Sequence, residues 1–199
     1  MINTSKKVYL HLSWEAATFS KWDSYFKIRD VYEAYVDPAT LKPSLFKRSI
    51  SEGAYVKTEK YIFNGQTINS STRKKNGSEE KKTFAVGSST QDIISMIYKL
   101  RTTDISVLRP GQSKVFILVF DQKEYPVSIK MIGYETISAG PLGKKDCFKL
   151  SISARTDKLK GVDKNLIWLT NDTKKIPVLV RFSIPVGTGQ MALISAAGI

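Results

Sequence analysis

Between Ser89 and Thr103, apolar side chains recur at helical spacing. Ile93, Met96, Ile97 and Leu100 form one stripe, and Ile94 and Tyr98 widen it over most of the surface. The pattern predicts one principal helix over about 89–101, buried on more than one side, with Ser89 and Asp92 at the spacing of a capping box. Most of what flanks it alternates with a period of two. Val8, Leu10, Leu12 and Trp14 interleave with Tyr9, His11 and Ser13, the signature of a half-buried strand. Tyr25 to Val36 is dense in aromatic and β-branched residues and ends at Asp37-Pro38. Leu45 to Ile50, Ala54 to Phe63, Ile68 to Lys74 and Glu80 to Val86 continue as strands of a meander, with turns at Glu52-Gly53, Asn64-Gly65 and Asn76-Gly77.

After the helix, Val115 to Phe120 is apolar without alternation, which predicts a strand covered on both faces and a natural partner for the helix. Tyr125 to Ile132, Phe148 to Ile152, Leu166 to Leu169 and Ile176 to Val186 read as further strands. Pro177 and Pro185 place the last at an edge or beside bulges. Ala154 to Lys164, polar and basic, reads as an exposed loop. The prediction is therefore a mainly β protein: a single domain over residues 1–199, with a strongly curved antiparallel sheet or open barrel and the helix packed against it.

Composition changes this picture in three places. At 199 residues and 42% apolar, the chain is long enough for one sizeable core. Its formal charge of +13 favours anionic surfaces through a non-specific field. The excess lies mostly after residue 70, in short pairs such as Lys81-Lys82, Lys144-Lys145 and Lys174-Lys175, which is the habit of solvated faces. A single cysteine, Cys147, excludes an intramolecular disulfide and a multi-cysteine zinc site. No run of about 18 apolar residues predicts a transmembrane helix, and the N-terminus lacks the regions of a secretory signal.

Candidate chemistry is sparse. One His and one Cys far apart disfavour a metal site and nucleophilic catalysis, and no Gly-x-Ser-x-Gly elbow is present. Asp30, Glu33 and Asp37 are close enough in sequence to raise glycosidase chemistry, but surface carboxylates paired with Arg29, Arg48 or nearby lysines are the simpler reading. Gly187-Thr188-Gly189 has no following Lys-Ser/Thr and fails as a phosphate loop. Aromatic and basic residues interleave around Tyr25, Phe26, Lys27, Arg29, Tyr32 and Tyr35, a pattern that stacks on sugars or fills a core. Tyr98 and Trp168 have polar tips that suit a cavity wall or an internal hydrogen bond.

Several segments, taken in order, carry a resemblance. They are Asp30-Val31-Tyr32-Glu33-Ala34-Tyr35-Val36-Asp37-Pro38 with Thr40-Leu41 and Pro43; Phe46 with Arg48 and Glu52-Gly53; Asp92 to Arg101; Gly133-Tyr134-Glu135; and Trp168 to Asp172 running to Ile176-Pro177-Val178 and Val186-Gly187. Their order and spacing resemble the bacterial domain-of-unknown-function family 3108, from about Tyr25 to the C-terminus. The resemblance implies an exported protein of the periplasm or cell envelope, mostly antiparallel β, with no catalytic residues to carry over. It also implies a signal and extra N-terminal strands that this chain does not display, so a first-strand partner is expected to be missing.

The functional expectation is a non-enzymatic envelope protein without cofactor or metal, holding an apolar or glycan-like ligand, or a partner protein, in the concavity of the sheet. Tyr32, Tyr35, Arg48, Tyr98 and Trp168 are the candidate ligand residues, and nucleic acid is not the expected partner. The alternative is a basic module for an anionic polymer or membrane surface, with Lys144, Lys145, Lys158, Lys160 and Lys164 converging on one face.

Overall fold

The computed structural model describes residues 2–4, 7–154, 165–184 and 187–198. Among them are fourteen strands and one α-helix: β1 (Ile2–Thr4), β2 (Lys7–Ala17), β3 (Arg29–Val36), β4 (Pro43–Glu52), β5 (Tyr55–Asn64), β6 (Thr67–Lys74), β7 (Glu79–Ala85), β8 (Thr90–Gln91), α1 (Ile93–Thr102), β9 (Ser113–Phe120), β10 (Lys123–Ser138), β11 (Lys144–Ala154), β12 (Leu166–Thr170), β13 (Pro177–Ile184) and β14 (Gly187–Ala192). The protein is mainly β with one principal helix, as the sequence predicts. The strands divide between two open seven-stranded sheets, β1 to β7 and β8 to β14, neither of them closed into a barrel.

Contacts group the chain into two compact units, residues 1–98 with 117–124, and residues 99–116 with 125–199. In the first unit, β1 to β7 form an antiparallel meander in chain order. The long strand β2 pairs with β3 from Leu10 to Ala17, and the short β1 pairs with it at Lys7, Val8 and Tyr9. The turns follow local chemistry: Gly65 and Gly77 take φ of +63° and +80° behind their asparagines, a conformation that glycine adopts without a Cβ penalty. Along β3 the alternation is strict. Asp30, Ala34 and Val36 are buried, while Arg29, Glu33 and Tyr35 lie on the opposite face. Leu12, Ala34, Val36, Phe46, Tyr61 and Ile68 from the inner face pack with Ile94 and Val119 into one core, and Trp14, Tyr32, Phe84 and Tyr98 border it.

The helix begins later than its apolar pattern suggests. Thr90 and Gln91 form β8, parallel to β9 at Ile117 and Leu118, and so are drawn into a sheet. The cap is consequently Asp92, not Ser89. Asp92 Oδ1 accepts the N–H groups of Ile94 and Ser95 at 2.9 Å each, and Ser95 Oγ accepts the Asp92 N–H at 3.1 Å and donates to Asp92 Oδ2 at 2.7 Å. The reciprocal box is one turn further along, with serine in the place usually taken by glutamate. Lys99 and Arg101 in the last turn complement the helix dipole.

In the second unit β10 to β13 pair antiparallel in succession, and β14 continues from β13. Gly187-Thr188-Gly189 thus belongs to a strand. A bulge lies between Met131 and Gly133, and Gly133 has a φ of +157°. A second bulge, between Trp168 and Leu169, falls opposite Pro177, where the ladder lacks a donor. The expectations for the 155–164 loop, for Pro185 and for Val186 lie outside the described residues.

Asp92 is fully buried, and burial pushes its carboxyl up to about 6 from 3.8 against the pull of the hydrogen bonds that it accepts from Ser95 and Ile94. The folded state therefore binds this proton more tightly than the unfolded one, and stability falls as pH rises from about 4 to about 6. Each pH unit in that window costs at most about 1.4 kcal/mol. Asp92→Asn keeps an acceptor for the helix N–H groups and removes the charge. Urea melts across this window should show the wild type losing stability relative to Asp92→Asn as pH rises from about 4 to about 6, whatever slope the other carboxylates give both proteins.

Candidate functional site

The inner face of the first sheet holds an ionic cluster. Arg48 on β4 and Glu59 on β5 are directly opposed across the ladder, and Arg48 Nε lies 2.6 Å from Glu59 Oε2 with both side chains almost wholly buried. Arg48 Nη2 also donates to Asp121 Oδ1. Lys57 Nζ bridges the two carboxylates, 3.2 Å from Glu59 and 3.0 Å from Asp121, and Thr72 Oγ1 donates to Glu59 at 3.3 Å. The guanidinium lies 4.4 Å from the centroid of the Phe120 ring. These contacts hold the turn between β9 and β10, where Asp121 and Gln122 take φ of +46° and +63° without a glycine. Gln122 N–H donates to Tyr61 Oη at 3.0 Å, which anchors the same turn a second time.

This arrangement decides the fate of the sequence candidates. Arg48 is engaged by two internal carboxylates and is 6% exposed. Tyr32, its direct neighbour across β3 and β4, borders the core, and burial pushes its hydroxyl up to about 12. Tyr98 packs on the same core from α1. Tyr35 points the other way, stacked on His11 at 4.5 Å with the Lys47 ammonium 5.4 Å from its ring. The structure thus brings Tyr32, Arg48 and Tyr98 to one packed side and separates Tyr35 from them.

Trp168 belongs to the second unit, at 1% exposure among Cys147, Leu166, Ile176 and Val178. Its indole N–H donates to Glu135 Oε2 at 3.1 Å, and Lys149 Nζ meets the same oxygen at 2.9 Å. Lys149 and Arg181 flank the ring at 5.4 and 5.3 Å. Lys149 and the indole N–H hold the Glu135 carboxyl below its ordinary value. Cys147 sits in this core, donating weakly to Lys145 O at 3.6 Å, and burial pushes its thiol up to about 11, which disfavours the thiolate that nucleophilic chemistry needs.

The three clustered carboxylates do not meet. Asp30 is buried and accepts Ser51 N–H at 2.9 Å, Glu33 pairs with His11 at 2.9 Å, and Asp37 accepts Ala39 N–H, Thr40 N–H and Thr40 Oγ1 in its own turn. The expected partners differ too: Arg29 pairs with Asp23, and Arg48 with Glu59 and Asp121. Among the described residues, no three His, Cys, Asp or Glu side chains gather in a metal-holding group. No helix there is long and apolar enough to cross a membrane.

The outer face of the first sheet is a different surface. Register places Glu33, Lys47, Lys60, Ser71 and Lys81 in one row across β3 to β7. Lys47 and Lys60 stand directly opposite each other, an arrangement of like charges that costs stability. The adjacent row carries Tyr35, Leu45, Ile62, Asn69 and Thr83. Over β5 to β7 these side chains and that of Glu79 line a depression of about 540 Å³, with the strands at Ser70 and Lys82, whose side chains alternate toward the Tyr61 face, beneath it. Asn69 Oδ1 accepts from Thr83 Oγ1 at 2.8 Å, and Ser71 Oγ donates to Glu79 at 2.9 Å. Lys81 lies 3.8 Å from Glu79, whereas Lys60 has no ion-pair partner among the described residues. Sequence reasoning missed this site, although period-two alternation across the two Asn-Gly hairpins fixes which lysines share the face. Lys144 and Lys145 are exposed at the start of β11 in the second unit, while Lys158, Lys160 and Lys164 lie outside the described residues.

The chain matches a family model described as protein of unknown function (DUF3108) over residues 2–194. No curated protein and no solved structure matches it.

Arg48→Ala leaves Glu59 buried beside a single lysine and should cost about 3–5 kcal/mol in urea unfolding. Arg48→Met with Glu59→Leu removes both charges and leaves Lys57 with Asp121. It should recover to within about 2 kcal/mol of the wild type.

Proposed function

This chain belongs to the DUF3108 family, and we propose that it is a non-enzymatic protein of the cell envelope that binds an acidic, glycan-like ligand on the outer face of β5 to β7. One observation carries the reading. Lys60, Lys81, Glu79 and a set of amide and hydroxyl groups line a single depression, and Lys60, which faces Lys47 across the ladder at its edge, has no carboxylate partner among the described residues. A carboxylate- or phosphate-bearing sugar offers the missing charge to Lys60 and Lys81, while its hydroxyl groups find acceptors and donors in Glu79, Asn69, Ser71 and Thr83. The inner face is occupied by Tyr61, Ile68 and the Arg48 cluster, so a polar ligand outside has better support than an apolar one within. The envelope location is part of this proposal and is supported by the resemblance of the sequence to a family whose members are expected to be exported. The absence of catalysis is supported by the commitments of the reactive groups: His11 pairs with Glu33, Cys147 is buried with a raised thiol, and the carboxylates bind separate partners.

The test is binding of an acidic polysaccharide, polygalacturonate, with neutral dextran as control, measured by affinity electrophoresis over a range of salt. The acidic polymer should bind, and more weakly as salt rises. Lys60→Gln with Lys81→Gln should weaken binding about tenfold or more and flatten the salt dependence, since each exposed cation contributes of order 1 kcal/mol. Lys144→Gln with Lys145→Gln should leave it unchanged. Equal loss in the two double variants would reduce the effect to net charge and remove the site.

A further inference from the structure

The segment 18–28 between β2 and β3 presents aromatic side chains to solvent on a backbone fixed from several sides. Phe19 is 61% exposed, Tyr25 82% and Phe26 53%, and Tyr55 at the start of the neighbouring β5 is 55% exposed. Large aromatic side chains lose free energy in water, and several of them on adjoining loops mark a surface that meets something else. The loop is not loose. Asp23 Oδ1 accepts from Thr18 Oγ1 at 2.5 Å, and Arg29 grips both oxygens of Asp23 at 3.1 and 2.5 Å. Gly53 N–H donates to Lys27 O at 2.8 Å. Gly53 has a φ of +57°, and a Cβ there would come within 3.1 Å of the Phe26 ring, so the turn between β4 and β5 is shaped to that ring.

Charge selects the occupant. Arg29 pairs with Asp23, and Lys21 and Lys27 are exposed and cationic among the aromatics. Aromatic rings flanked by lysines suit the headgroup layer of a bilayer, where rings sit at the polar–apolar boundary and ammonium groups reach anionic headgroups. A protein partner of that chemistry would have to offer both an apolar platform and carboxylates. A bilayer with anionic lipid offers both over its whole surface. We infer that the loop carrying Phe19, Tyr25 and Phe26, with Tyr55 beside it, seats the protein on an anionic lipid surface. This surface is separate from the proposed glycan depression over β5 to β7, and neither reading requires the other.

Flotation of the full chain with phosphatidylcholine vesicles, in which about a third of the lipid is phosphatidylglycerol, tests this. The wild type should float with these vesicles and less with pure phosphatidylcholine. Phe19→Ser with Tyr25→Ser leaves the net charge unchanged and should lower the bound fraction about tenfold, with an unchanged melting curve confirming the fold. Lys21→Gln with Lys27→Gln should lose the preference for anionic lipid. The inference is overturned if the aromatic double variant floats like the wild type, since the overall positive charge then suffices, or if the wild type does not float. It is equally overturned if those two aromatic substitutions abolish self-association in solution while leaving flotation intact.

Discussion

The first unit depends on a buried charge contact, Arg48 with Glu59, and on its extension to Asp121 and Lys57. Desolvating four charged groups is costly, and ion pairs of this kind often stabilise less than apolar groups of the same volume would. Their value lies in what they specify. Removing any one member strands a charge in the core, so the turn at Asp121-Gln122 has one place to dock. That turn takes two left-handed residues without glycine, which non-glycine side chains rarely adopt. Its cost is offset by two ionic contacts to Asp121 and the Tyr61 hydroxyl accepting the Gln122 N–H. Just beyond the turn, Glu124 accepts the Gly87 N–H at 2.8 Å and a hydrogen bond from Thr90 Oγ1, which ties the entry to α1 to the same segment.

A sheet with one face organised in this way has only its other face to offer to solvent. The alternation that sends Tyr61, Ile68 and Arg48 inward sends Lys60, Asn69, Ser71 and Lys47 outward. Two lysines facing each other across a ladder, Lys47 and Lys60, reduce stability, a departure that the packing of the core does not require. The aromatic loop 18–28 is a second departure from what folding alone requires, since Phe19 and Tyr25 are largely exposed to water. Both features lie on surfaces whose side chains the core does not use.

Much of the fold was legible in the sequence because period-two alternation and Asn-Gly turns are local signals. β2, β4 to β7 and β11 to β13 follow from them, β9 from its unbroken apolar run, and the apolar stripe from Ile93 to Leu100 locates the helix. The parts that were not legible depend on long-range partners. Thr90 and Gln91 become a strand because β9 lies beside them, which moves the cap from Ser89 to Asp92. Asp121-Gln122 carries only a weak turn signal, an aspartate with no glycine after it, and its conformation is held from β4 and β5, more than fifty residues away in sequence. The candidate residues fared according to the same rule. Tyr32, Arg48, Tyr98 and Trp168 carry polar tips that satisfy either a ligand or the interior, and only the identity of their neighbours distinguishes the two. For Arg48 and Trp168 those neighbours are Glu59 and Glu135, on other strands.

The central claim is that ligand recognition uses the outer face of the first sheet, because the inner face is committed to its own core and ion pairs. Amide chemical shifts recorded while a short oligogalacturonate is titrated into the protein test this most directly. The account predicts changes concentrated on β5, β6 and β7, at Lys60, Asn69, Ser71, Lys81 and Thr83, with Tyr32, Tyr98 and Trp168 unmoved. Changes centred on Tyr32, Arg48 and Tyr98, with the outer row silent, would contradict it.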